Sequence, residues 1–135
     1  MSALVLDASG LLAYLHDEEG AAEVADALAK TAAISTANLA EALSKLAEHG
    51  ANPREVVADL EERGVVGGLL EVEPVTAEDS IAIAEMRVST REHGLGLGDR
   101  ACLALGRRLG LPVMTADRAW TELEEVLGVQ VYSFR

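Results

Sequence analysis

Short apolar runs alternate with longer segments of helical spacing along this chain, and that alternation predicts its elements. Ala3 to Asp7 reads as a buried strand, apolar until its closing acid. Gly10 to His16 and Ala21 to Lys30 read as two helices, separated by Asp17-Glu18-Glu19-Gly20. Ala32 to Ser35 is a second short strand. Thr36 can cap the next helix, which runs to Gly50 with Leu39, Ala42, Leu43 and Leu46 as its apolar stripe. Asn52-Pro53-Arg54-Glu55 opens another helix, with Asn as cap and Pro at the first position, ending near Gly64. Leu69 to Val75 predicts a strand. Pro74 removes a ladder donor there, which points to an edge or a strand end. Thr76-Ala77-Glu78-Asp79 has capping-box spacing and opens a helix reaching about Glu92. Gly98 to Leu109 is the next helix, with Ala101, Cys102, Leu105 and Leu109 inward and Gly110 as its stop. Val113 to Thr115 is a strand, Arg118 to Leu123 a short helix and Val129 to Phe134 a final strand.

The order is β-α-α-β-α-α-β-α-α-β-α-β. Strands alternating with helices give an α/β fold with a parallel sheet covered on both faces. Neither a linker nor a repeat interrupts the pattern, so a single domain over residues 1–135 is expected.

Composition narrows the chemistry. The chain has 135 residues, half of them hydrophobic, enough for a sizeable core. No apolar run approaches the roughly 18 residues of a membrane span, and the N-terminal segment lacks the pattern of a secretory signal. Cys102 is the one cysteine, so no internal disulfide forms. These features lead us to expect a cytoplasmic protein. Aromatic residues make up 3% of the chain, so a base-stacking platform is not expected. The formal charge of −12 repels nucleic acid in general. A nucleic-acid substrate would need a local basic patch, a bound metal or a partner's surface.

Four acids stand out against this background. Asp7 closes the first strand, Asp117 follows Val113-Met114-Thr115-Ala116, Asp99 stands at a glycine-rich helix entrance, and Glu41 lies early in the helix after Thr36. Carboxylates at the carboxyl ends of strands in an open α/β sheet meet in one crevice. Gathered there, they repel each other unless a cation lies between them, which points to a divalent metal and phosphate chemistry. Each acid also has a local alternative. Asp7, Asp99 and Asp117 suit helix or turn caps, and Glu41 has the spacing to pair with Lys45. Ser9 and Thr115 flank the set, either as hydrogen-bonding supports of a ligand sphere or as caps. Asn38 shares the helix face of Glu41. Arg100 and Arg118 adjoin Asp99 and Asp117 and are candidates for holding substrate phosphate.

Other features fit structural roles. Gly94-Leu95-Gly96-Leu97-Gly98 is not a dinucleotide-binding G-x-G-x-x-G and serves better as a turn delivering Asp99. His16, His49 and His93 have no common ligand spacing, and each suits the C-terminal end of a helix. Cys102 belongs on an apolar helix face.

Four stretches in order carry a family resemblance: Leu4-Val5-Leu6-Asp7-Ala8-Ser9, Asn38-Leu39-Ala40-Glu41, Leu97-Gly98-Asp99-Arg100-Ala101-Cys102-Leu103-Ala104 and Val113-Met114-Thr115-Ala116-Asp117-Arg118-Ala119-Trp120. They resemble the motifs of PIN-domain proteins and, within them, of VapC toxins from bacterial and archaeal toxin–antitoxin modules. The resemblance covers nearly the whole chain. It implies a three-layer α/β/α domain with a central, mostly parallel sheet of four to five strands. It also implies a metal-dependent endoribonuclease, the toxin component of a VapBC system. The family's four acids fall on Asp7, Glu41, Asp99 and Asp117, and its hydroxyl positions near the metal on Ser9 and Thr115. Mg²⁺ or Mn²⁺ suits such an all-oxygen shell, with Asp7, Asp99 and Asp117 nearest the ion and Glu41 acting through water. The implied partners are RNA as substrate, a VapB-type antitoxin, and a second copy of the chain in a homodimer or a higher toxin–antitoxin assembly.

Two alternatives remain beside that reading. A haloacid-dehalogenase-like phosphatase also begins with a strand-end Asp, but it needs a second Asp where this chain has Ser9. A non-catalytic PIN-like module that binds RNA or protein would not need the full acid set.

Overall fold

The computed structural model describes Met1–Arg135. Strands β1 (Leu4–Leu6), β2 (Ala32–Ser35), β3 (Leu70–Glu73), β4 (Val113–Thr115) and β5 (Val131–Ser133) form one sheet in the order β3-β2-β1-β4-β5. Every neighbouring pair is parallel. Helices α1 (Ala8–His16), α2 (Ala21–Ala29), α3 (Thr36–Glu48), α4 (Pro53–Glu62), α5 (Ala77–Ser89), α6 (Leu97–Leu109) and α7 (Glu124–Leu127) supply the crossovers and cover both faces. Turns of 3-10 helix span Arg91–His93 and Arg118–Leu123.

Strand periodicity of two explains the layers. Leu4, Leu6, Ala32 and Ile34 face one way and meet Leu11, Val24, Leu28 and Leu60 of α1, α2 and α4. Val5, Ala33, Val113 and Val131 face the other way and meet Ile83, Met86, Leu103 and Trp120. The chain first builds outward from β1 through β2 to β3. It then returns to the opposite side of β1 for β4 and β5. The order therefore reverses between β1 and β4, and an open α/β sheet gapes at the carboxyl ends of such a pair.

The elements match the sequence pattern, with shifted ends that have local causes. Helix α1 starts at Ala8 rather than Gly10, because the Asp7 carboxylate caps it by accepting the Gly10 N–H at 3.0 Å. Ser35, not Thr36, caps α3, accepting the Asn38 N–H at 3.1 Å. Thr36 instead accepts the Val75 N–H at 3.2 Å, which fastens α3 to the end of β3. Strand β3 is an edge, as Pro74 implied. Helix α5 stops at Ser89, short of Glu92, where the Thr90 hydroxyl donates to the Met86 carbonyl and a 3-10 turn follows. Helix α7 was not predicted; it continues the turn that carries Trp120. His49 caps as expected, its Nδ1 lying 2.8 Å from the Lys45 carbonyl oxygen, and His16 ends α1. His93 sits instead in the 3-10 turn, 3.9 Å from Glu122. No helix is long and apolar enough to cross a membrane.

Asp79 anchors the face opposite α1. Its carboxylate accepts the Thr76 N–H at 3.0 Å, completing the predicted capping box, and the Arg108 Nε–H at 2.9 Å. Burial by itself would raise its pKa, but the Thr76 N–H and the Arg108 guanidinium outweigh burial and hold it below the ordinary carboxylate value. A depressed carboxyl pKa gives stability that is complete above the ordinary value and is lost as pH falls through the folded one. Asp79→Ala removes a cap and leaves Arg108 without its partner. A loss of about 2 kcal/mol is expected by urea unfolding at neutral pH, shrinking in strong acid.

Candidate active site

Two hydroxyls tie the ends of β1 and β4 together. The Ser9 hydroxyl donates to Asp7 Oδ1 at 2.6 Å and accepts the Ala116 N–H at 3.0 Å. The Thr115 hydroxyl donates to Asp7 Oδ2 at 2.6 Å and accepts the Asp117 N–H at 3.1 Å. With the Gly10 N–H, three donors pin one carboxylate; Ser9 reaches across the switch point to the loop that carries Asp117, and Thr115 reaches across it from β4 to Asp7. Ser9 and Thr115 therefore support Asp7 and cap the loop at once, so the two readings of these hydroxyls are compatible.

Asp7 is 6% exposed. Burial raises its pKa above the ordinary value, the three donors pull it back, and the charge of Asp99 adds to the rise. Asp99 is the third residue of α6 rather than its cap. Gly96 holds the cap position, and Asp99 Oδ2 accepts the Gly96 N–H at 3.0 Å. Asp117 caps the following 3-10 turn by accepting the Ala119 N–H at 3.0 Å. The local capping explanation thus holds for Asp7 and Asp117, while Asp99 steadies the start of its helix from the third position, and neither role competes with a shared site. Each cap orients a carboxylate at the mouth of the switch point.

Glu41 arrives from α3. A Cβ added at Gly98 would lie 2.9 Å from Glu41 Oε1, so the bare backbone of α6 makes the room its carboxylate occupies. Asn38, 1% exposed, fixes that approach. Its Nδ2 donates to the Gly98 carbonyl at 2.9 Å while its Oδ1 accepts the Ser35 hydroxyl at 2.7 Å. Asn38 thus clamps α3 onto the start of α6, which carries Asp99, and does not itself line the crevice.

Asp7, Ser9, Glu41, Asp99, Thr115 and Asp117 line one cavity of about 160 Å³. Cys102 lies beneath it, fully buried. Burial first, and then the charges of Asp7, Asp99 and Glu41, push its thiol well above the ordinary value, so it stays a protonated core residue. Arg100 lies outside this cavity. Its guanidinium donates to the Ile83 carbonyl at 2.9 Å and borders an apolar groove between α5 and α6. Arg118 is also outside the lining and donates to the carbonyl of Arg135. Lys45 lines the cavity in their place. The sequence signal for Lys45 is its position four residues after Glu41, a spacing that predicts an ion pair. No such pair forms.

The donor set consists of carboxylate and hydroxyl oxygens, which suit a hard cation such as Mg²⁺ or Mn²⁺. No three acidic, histidine or cysteine side chains come together closely enough to hold a metal ion among them. Mg²⁺ commonly takes one or two carboxylates and keeps several waters, so these residues fit a hydrated ion better than a closed cage.

Four acids thus line one cavity at the switch point of a parallel α/β sheet. A family model described as "PIN domain" matches residues 4–126, and the chain belongs to that family. Among solved structures, the fold is similar to FitAcB from Neisseria gonorrhoeae, at 19% identity, TM-score 0.72 and 97% of each chain covered. It is similar to DNA-bound VapBC from Salmonella typhimurium, at 21% identity, TM-score 0.71 and 100% of each chain covered. It is also similar to VapC20 from Mycobacterium tuberculosis, a sarcin–ricin-loop-cleaving toxin, at 18% identity, TM-score 0.68, covering 88% of this chain and 93% of that one. At these identities the likeness is one of fold. No curated protein sequence matches the chain.

Proposed function

We propose that this PIN domain, a single domain over residues 1–135, is a metal-dependent endoribonuclease and the VapC-type toxin of a toxin–antitoxin module. The observation that carries the reading is the meeting of four carboxylates, from four separate segments, in one small cavity at the sheet's switch point. In this reading Asp7, Asp99 and Asp117 hold Mg²⁺ or Mn²⁺, directly or through water. A bound divalent ion supplies Lewis acidity toward a phosphodiester. Glu41, free of hydrogen-bond partners and steered by Gly98, orients the attacking water and accepts its proton. Ser9 and Thr115 keep Asp7 from rotating, so the carboxylate is organised before substrate arrives.

The proposed partners follow the same reading. Leu97 is 65% exposed and borders the groove between α5 and α6 with Val75 and Ile83. Ile83 is buried and Val75 half-buried, so Leu97 is the exposed apolar side chain of the three, and its exposure over that groove supports a homodimer. The charge of −12 favours a VapB-type antitoxin whose contacting segment is basic. A cytoplasmic site of action fits such a module.

The test is cleavage of total bacterial RNA by purified protein, in Mg²⁺ or Mn²⁺ and in chelator. Cleavage is expected only with metal and is expected to fall at least about 100-fold in Asp99→Asn. That variant keeps an oxygen to accept the Gly96 N–H, so its stability should stay within about 1 kcal/mol of the parent. Cleavage that survives in folded Asp99→Asn would sink the assignment of the site. Binding of RNA without cleavage would favour the non-catalytic module.

A further inference from the structure

An acidic cavity that must receive an anionic phosphodiester raises a question the four acids do not answer: what attracts and holds the RNA backbone there. The two arginines nearest in sequence are engaged elsewhere, Arg100 with the Ile83 carbonyl across α5 and Arg118 with the carbonyl of Arg135. Among the side chains that line the cavity, one is cationic, and it is Lys45.

We propose that Lys45 is a substrate-binding residue that holds a phosphate of the RNA backbone at the mouth of the acid cavity. This rests on the ribonuclease reading above. Three observations carry it. Lys45 lies one helical turn after Glu41 on α3, so its stem rises from the same helix face. Its ammonium forms no ion pair with a carboxylate, although Glu41 stands four residues before it on the helix, so a phosphate would not have to break such a pair to reach it. The chain carries 11 Lys and Arg against 23 Asp and Glu, so the long-range field repels RNA and a local cation has to oppose it. A lysine ammonium is a compact charge with three donors, suited to a phosphate as a point contact. A flexible stem on an exposed turn also lets it follow the backbone of the strand.

The contact should appear in the salt dependence of binding. Binding of a mixture of short single-stranded RNA oligonucleotides is measured at rising KCl in the non-cleaving Asp99→Asn background. Adding Lys45→Met should weaken binding about tenfold at low salt and reduce the slope of log affinity against log salt by about 0.7, one phosphate contact. Lys45→Arg should restore most of the affinity and the slope. With all four acids present, Lys45→Met should raise KM about tenfold and leave kcat within about threefold. A lysine with a merely structural role would change the melting temperature and leave the salt slope alone. An unchanged slope with unchanged KM overturns the Lys45 assignment and leaves the ribonuclease reading standing. A wild-type chain that never cleaves RNA overturns that reading instead, and is seen before Lys45 is altered.

Discussion

Asp7→Asn is expected to cut cleavage severely while making the metal-free protein more stable. Asp7 is the most buried of the four acids, and burial is the first cause of its raised pKa, with Asp99 adding to it. A charge held where solvation is poor destabilises the fold unless a cation compensates it. The amide keeps an oxygen for the Gly10 N–H and the Ser9 hydroxyl, and offers an N–H toward Thr115. It loses the negative charge that would hold the ion, so turnover should fall about 10³-fold. A raised folded-state pKa means that the destabilisation is full at neutral pH. It fades as pH falls through the folded value toward the ordinary 3.8. In chelator the variant should therefore melt roughly 2–5 °C higher than the parent near pH 7, with the gap closing on acidification. The measurement is thermal unfolding of both proteins across that range. A variant that melts lower at every pH would mean that the hydrogen bonds from Ser9 and Thr115 outweigh burial of the charge.

Gly98→Ala should separate activity from stability at the other wall of the cavity. The new Cβ would stand 2.9 Å from Glu41 Oε1 and 3.3 Å from its carboxyl carbon. What must move is the end of a flexible side chain, not backbone, so the fold tolerates the change. Within a helix, alanine is better than glycine by roughly 0.5–1 kcal/mol, less near the first turn where Gly98 lies. Turnover, by contrast, depends on where the Glu41 carboxylate points. A displacement of about 1 Å can cost on the order of 10²-fold, and a loss of at least tenfold is expected. The readout is kcat beside the melting temperature. Parental kcat in the variant would show that the position of Glu41 does not matter to the reaction.

Both substitutions act on features that the sequence conveyed unevenly. The strand-end acids could be read directly, because a short apolar run that stops at Asp7, and another that leads to Asp117, mark the carboxyl edge of a parallel sheet. Helix starts were less well defined. Ser35 and Thr36 are both able to cap α3, and only the fold decides that Thr36 is used by Val75 instead. Asp99 has the composition of a cap but sits at the third helical position, from which its carboxylate reaches back to accept the Gly96 N–H. Contacts between segments far apart in sequence were not legible at all. Nothing in the local pattern indicates that Asn38 clamps the Gly98 carbonyl, or that Gly98 is bare because Glu41 fills its space. Proximity in sequence was misleading for Arg100. On a helix the next residue points about 100° away, so the neighbour of Asp99 faces α5 rather than the cavity. Lys45 reached the cavity for the opposite reason, since four residues along a helix return to the same face.

In the proposed function these four carboxylates form one divalent-cation site that serves RNA cleavage. Electron paramagnetic resonance of Mn²⁺ titrated into chelator-treated protein tests the site without relying on turnover, because the free ion's signal falls as it binds. The parent should deplete the signal saturably, and Asp99→Asn, with an unchanged circular dichroism spectrum, should need at least about tenfold more protein to do so. Equal depletion by the two proteins would contradict the account.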